Sequence, residues 1–134
     1  MIKSIGKLKK DLDIIYSRYI RVVNADDAGY VQCISCKKVW PWKQMQNGHF
    51  VSRRYSNLRY DERNTKPQCY GCNMMRGGNM ANFAVALIHQ YGDGIIDILA
   101  KESQVLKKFT KPELLKLTEH YKGKLRALGP EYLP

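Results

Sequence analysis

Four cysteines stand in two C-x-x-C pairs, Cys33/Cys36 and Cys69/Cys72, with thirty-two residues between the pairs. Tetrahedral Zn²⁺ takes four deprotonated sulfurs at about 2.3 Å, and two such pairs a few tens of residues apart can supply them. Four thiolates fill the coordination shell, so a zinc held this way is structural and chemistry must come from other side chains. Between the pairs lies one histidine, His49, in Gly48-His49-Phe50, closely followed by Arg53 and Arg54. A neutral imidazole with an ordinary pKa near 6.5 can take a proton from water, and neighbouring arginines suit a phosphate. Asn64 lies in the same bracket, and Asn73 follows the last cysteine directly. His89 and His120 fall on helical stretches and are read as structural or solvated.

The charge points the same way. The 134 residues carry a formal +11, and four thiolates with one Zn²⁺ would bring this to +9. Residues 37–76 hold nine basic residues against only Asp61 and Glu62, which is +7 of the total. A solvated face seldom concentrates charge so far, whereas a surface that contacts phosphate needs it. Arg53, Arg54, Arg59, Arg63, Lys66 and Arg76 are the expected DNA-contacting set. Arg18 and Arg21 could also reach phosphate from the preceding helix. Tyr55, Tyr60 and Tyr70 are interleaved with these cations, and either stack on unpaired bases or pack locally. An acidic membrane surface is the other polyanion such a charge suits. No stretch, however, approaches the roughly 20 apolar residues of a membrane span. With no secretory signal in view, the expected location is the cytosol. There, paired cysteines favour metal over disulfides.

Several elements must position these groups. Ile5, Leu8, Leu12, Ile15, Tyr16, Tyr19, Ile20 and Val23 repeat at three and four, which predicts one amphipathic helix over residues 5–23. The stretch 24–29 is a turn by composition. Residues 30–34 and Val39-Trp40 are expected to form a short hairpin with the first cysteine pair at its tip. Residues 46–52 look extended, with His49 near the middle. Residues 53–68 read as mostly irregular, with a short strand at 58–60. The second pair is expected to open a helical turn, with Gly71 easing the approach to the metal and Gly77-Gly78 breaking it. Asn79 is expected to cap a helix running to Tyr91, and a further helix is expected over 94–107. Thr110, a proline next but one, and Glu113 form a capping box that starts a last helix ending at Gly129-Pro130.

The motifs together resemble the HNH or His-Me finger nucleases, in the variant whose ββα element is held by zinc. More closely, the pattern resembles the phage NinG/Rap family of recombination endonucleases. The resemblance runs through residues 16–21, 29–36, 48–53, 58–64 and 68–73 to Gly78-Asn79, and is less specific in the C-terminal helices. It implies that His49 is the general base that activates water and that Asn64 orients the loop and, through it, the imidazole. It also implies that Asn73 ligates a single Mg²⁺ or Mn²⁺ that stabilises charge at the scissile phosphate. Many relatives carry Asp or His directly before the catalytic histidine as a second ligand; here that position is Gly48. Backbone, water, or a carboxylate such as Asp61 or Glu62 would have to serve instead.

The expected fold is α+β, a single domain over residues 1–134. It comprises an N-terminal helical segment (1–29), a zinc-stapled ββα-metal, treble-clef-like core (30–78) and a C-terminal helical segment (79–134). The expected function is metal-dependent endonucleolytic cleavage of branched DNA such as a Holliday junction, D-loop or flap. The expected assembly is a homodimer made by the apolar flanking helices. The alternatives are a zinc-bound nucleic-acid-binding module that cleaves nothing, and an RNA-binding accessory factor.

Overall fold

The computed structural model describes residues 2–134. Helix α1 (Ile5–Val23) begins where Ser4 Oγ accepts the Lys7 amide at 3.1 Å. Its apolar face, from Leu8 through Leu12, Tyr16 and Ile20, is buried. Across from it lies the last helix, α4 (Lys111–Leu128), which buries Leu114, Tyr121 and Leu125. The Tyr16 and Tyr121 rings meet edge to face at 4.9 Å. The capping box is present, with Thr110 Oγ1 and Glu113 each accepting the other's amide at 3.3 Å. The apolar stripes of α1 and α4 thus face one another within one chain. The surface on which the homodimer expectation rested is largely used internally.

Two small antiparallel sheets fill the middle. Strand β1 (Tyr30–Gln32) pairs with β2 (Val39–Pro41), and β3 (Met45–His49) pairs with β4 (Thr65–Cys69). In the second sheet Met45 stands opposite Cys69 and His49 opposite Thr65. Strand β4 corrects the expectation of an irregular 53–68, and residues 58–60 form no strand; Ser56–Leu58 is a short 3-10 turn instead. Every residue of β4 is buried although the segment Thr-Lys-Pro-Gln-Cys has no apolar alternation. Its polar side chains find long-range partners, with only Gln68 Oε1 left without one among the described residues. Thr65 Oγ1 meets the Tyr16 hydroxyl at 2.6 Å, Lys66 Nζ donates to the Tyr91 hydroxyl at 2.6 Å, and Gln68 Nε2 donates to Ser35 Oγ at 2.9 Å and the Gly78 carbonyl at 2.6 Å. Hydrogen bonding rather than hydrophobicity makes such a strand buriable.

Helices α2 (Met80–Tyr91) and α3 (Ile95–Ser103) turn through 110° and close over a second apolar cluster of Leu58, Phe83, Leu87, Ile95 and Leu99. No single helix among the described residues is long and apolar enough to cross a membrane. Helix α3 is shorter than the expected 94–107, and Val105 and Leu106 are exposed beyond its end. Asn79 stands at the N-cap position of α2, but its backbone is left-handed (φ 44°) and its side chain makes no capping bond; its Nδ2 donates instead to Cys72 Sγ at 3.4 Å.

Candidate functional site

The four cysteine sulfurs converge, all lying within 4.8 Å of one another. Cys36 Sγ and Cys69 Sγ are 3.7 Å apart, against an edge of about 3.8 Å for a sulfur tetrahedron with 2.3 Å bonds. That spacing is far too long for a disulfide. The cluster could therefore hold one zinc ion. Backbone and side-chain donors already face the sulfurs: the Cys72 amide donates to Cys69 Sγ at 3.4 Å, beside the Asn79 contact to Cys72. Burial raises the Cys33 thiol, but the amides of Cys36, Cys69 and Ser35 outweigh it and bring it down to about 7. Gly71 has no special part: a Cβ there would meet only Cys69 Sγ, at an ordinary 3.9 Å. The turn from Gly71 to Met75 is instead a single wide π-type turn, broken at Gly77 and Gly78 where φ is +56° and +90°.

One side of the second sheet opens on a cleft of about 650 Å³ between α1 and the turn after β4. His49 and Asn73 both line it, with Asp13, Gln46, Asn47 and Arg53. His49 Nε2 lies 3.0 Å from the Arg59 carbonyl oxygen. A carbonyl only accepts, so Nε2 carries the proton and Nδ1 keeps the lone pair of the neutral ring. Burial pushes the imidazole below its ordinary 6.5, against the opposing pull of the Arg59 carbonyl and the Asp13 carboxylate. Near neutral pH the ring is uncharged and able to accept a proton at Nδ1.

Arg59 is held from α1. Its guanidinium forms a two-pronged pair with Asp13, Nε to Oδ1 at 3.0 Å and Nη2 to Oδ2 at 2.5 Å, and the Tyr60 hydroxyl donates to the same carboxylate at 2.9 Å. Asn64, fully buried, closes the loop that leaves His49. Its Oδ1 accepts the Val51 amide at 2.8 Å, and its Nδ2 donates to the carbonyls of Val51 at 2.9 Å and Leu58 at 3.2 Å. Asn73 Nδ2 donates to Gln46 Oε1 at 2.6 Å, which leaves its Oδ1 as a free acceptor. Asn47 supplies another oxygen: its Oδ1 is buried and takes no hydrogen bond among the described residues.

The expected cationic set divides. Arg53 lines the cleft, and Arg53, Arg54 and Arg76 are exposed. Arg59 is committed to Asp13, Arg63 to Asp61 and Glu102, and Lys66 is buried against Tyr91. Arg18 and Arg21 donate to the main-chain carbonyls of Tyr132 and Trp42 and stack on the Trp42 ring. Asp61 and Glu62, proposed as substitutes at the Gly48 gap, pair with Arg63 and Lys124 and are not among the cleft's lining. The carboxylate that does line it, Asp13, lies on α1, and nothing in its local sequence marks it out. Tyr60 packs edge on against Tyr16 and Phe109, so it is core, whereas Tyr70 is exposed.

Residues 1–131 match the family described as Bacteriophage Lambda NinG protein. The chain belongs to the NinG family. It is 31% identical over 97 residues to Protein ninG of Salmonella phage P22, covering 72% of this chain and 47% of that protein. It is 30% identical to Protein ninG of Escherichia phage lambda over the same shares. This NinG-family chain therefore spans about half the length of the curated relatives it matches. No solved structure matches it.

Proposed function

We propose that this NinG-family chain is a metal-dependent endonuclease of the HNH or His-Me class, with a zinc-held treble-clef-like core, acting on branched recombination DNA. The observation that carries this is the fixed tautomer of His49 beside Asn73 in one cation-bearing cleft. His49 accepts a proton at Nδ1 from a water directed at the phosphorus, and the Arg59 carbonyl holds the ring in register. Asn64 fixes the loop whose carbonyl does this. Arg53 offers a charge-assisted contact to a phosphate oxygen within the cleft. Asn73 Oδ1, with Asn47 Oδ1 as a second oxygen, would hold one Mg²⁺ or Mn²⁺, which favour hard oxygen ligands. When bound, such an ion stabilises the charge developing on the phosphate and the leaving oxygen.

The test is cleavage of synthetic four-way junctions, flaps and linear duplex in Mg²⁺, Mn²⁺ or EDTA, with wild type and His49→Ala. Cleavage of branched substrates by the wild type alone, abolished by EDTA, is expected. Removing a general base typically costs about 10²–10⁴-fold in rate while leaving a charge-dominated interface nearly intact. Binding without cleavage by the wild type would leave the non-catalytic nucleic-acid-binding module as the function.

A further inference from the structure

Beyond the cleft, a separate depression of about 350 Å³ lies over the cysteine cluster. Trp40 and Tyr70 line it and are 41% and 56% exposed. Lys38 and Arg76 line it as well, both are exposed, and neither has a salt-bridge partner among the described residues. No carboxylate contributes to its wall, in keeping with a sequence that has no Asp or Glu over residues 28–60 or 63–92. Trp40 is placed there by β2 and Tyr70 by the turn that follows Cys69, so the zinc-ligand framework carries both rings.

Two exposed rings beside two uncommitted cations suit a nucleotide whose base is out of its stack: a face for the base and charge for its phosphate. Paired bases inside a duplex present no free face, so this chemistry distinguishes unpaired nucleotides from continuous double helix. Four zinc-bound thiolates carry a formal −2 beside these cations, which weakens bare phosphate attraction here. Stacking must then supply the selectivity. We propose that Trp40 and Tyr70, with Lys38 and Arg76, form a stacking site for an unpaired nucleotide, of the kind exposed at a branch point or flap. The inference rests on the nucleic-acid part of the reading above, and not on cleavage.

Trp40 offers a direct signal, because the other tryptophan, Trp42, is only 9% exposed. Oligothymidylate is expected to quench the intrinsic fluorescence of the intact chain, and blunt duplex to leave it nearly unchanged. Trp40→Ala and Tyr70→Ala should each weaken binding of labelled oligothymidylate by about tenfold, while Trp40→Phe stays near wild type and duplex affinity moves by less than about twofold. Zinc stoichiometry in each variant shows that the platform is intact. Unchanged oligothymidylate affinity in the zinc-loaded alanine variants, equal losses for duplex and single strand, or equal quenching by polyglutamate would each overturn the stacking site alone. A wild type that binds no nucleic acid would overturn the broader reading with it.

Discussion

Asp13 grips the guanidinium of Arg59 with both carboxylate oxygens, while the main-chain carbonyl of that arginine takes the Nε2 proton of His49. Helix α1 therefore reaches His49 through a single residue on the loop that leaves it. The hydroxyl of Tyr60 also donates to Asp13, so the carboxylate is fixed from two directions. Asp13 is a positioning residue that orients the ring through Arg59, while its charge also pulls the His49 pKa upward.

Replacing Asp13 with Asn removes the charge and one prong of the pair. Arg59 then loses its anchor, and its carbonyl no longer holds one tautomer of His49. Small displacements of a reacting group can cost about 10²-fold. A fall of about 10–100-fold in single-turnover cleavage is expected, with DNA affinity nearly constant. Nitrogen NMR of the His49 ring should show the Nε2–H form in wild type and a mixture in the variant. A single Nε2–H tautomer in both proteins would refute the coupling.

The depressed His49 pKa sets a pH dependence with a definite sign. The group titrates lower in the folded state than its ordinary 6.5, so the unfolded chain binds more protons below that value. The stability it contributes is fully present above pH 6.5 and is lost as pH falls through the folded-state value. Cleavage should follow the folded-state value, with the rate reaching half its plateau below pH 6.5 rather than at it. A rate already half lost at pH 6.5 would show that the ring is not desolvated in the DNA-bound protein.

Much of this could be read from residue types. The bounds of α1, the capping box of α4, the first hairpin and the convergence of the four cysteines follow from periodicity, cap chemistry and ligand spacing. Strand β4 was invisible because its polar residues are buried through long-range partners, such as Gln68 with Ser35, which no local pattern contains. Asp13 was missed for the same reason: on a helix it looks like any solvated carboxylate. The Arg59 and Arg63 side chains looked like phosphate contacts because charge counts do not reveal which cations already have a carboxylate.

Gly48 has a structural reason that its position in the motif concealed. A Cβ there would fall 2.0 Å from Gln68 Oε1, and Gln68 is fully buried and pinned by Ser35 and Gly78. A carboxylate or imidazole in place of Gly48 is excluded by this crossing. Gly48→Ala is expected to destabilise the fold by about 1–3 kcal/mol as an overpacked core site. Adding Gln68→Ala should recover part of that loss, since the clash is with its side chain. Denaturant titration of the three variants measures the coupling, and strictly additive effects would show that the two residues do not meet.

Removing zinc should separate the molecule into a part that melts and a part that persists. Cys33, Cys69 and Cys72 pack in the same cluster as Val31, Trp42 and Met45, so the thiols are part of the core that orders residues 30–76. That segment has few other apolar anchors, and the two sheets within it have only two strands each. Helices α1 and α4 bury Leu12, Tyr16, Leu114 and Leu125 against each other without any sulfur ligand. One zinc per chain is expected by elemental analysis. Chelation should abolish amide protection in β1 to β4 while most helical dichroism remains, because metal binding and folding of such a segment are one equilibrium. Cleavage should be lost at the same chelator concentration and should not return with Mg²⁺ alone, since His49 is held opposite Thr65 by the sheet that melts. Zinc-free protein that keeps full protection in β3 and β4 would refute a structural role for the metal.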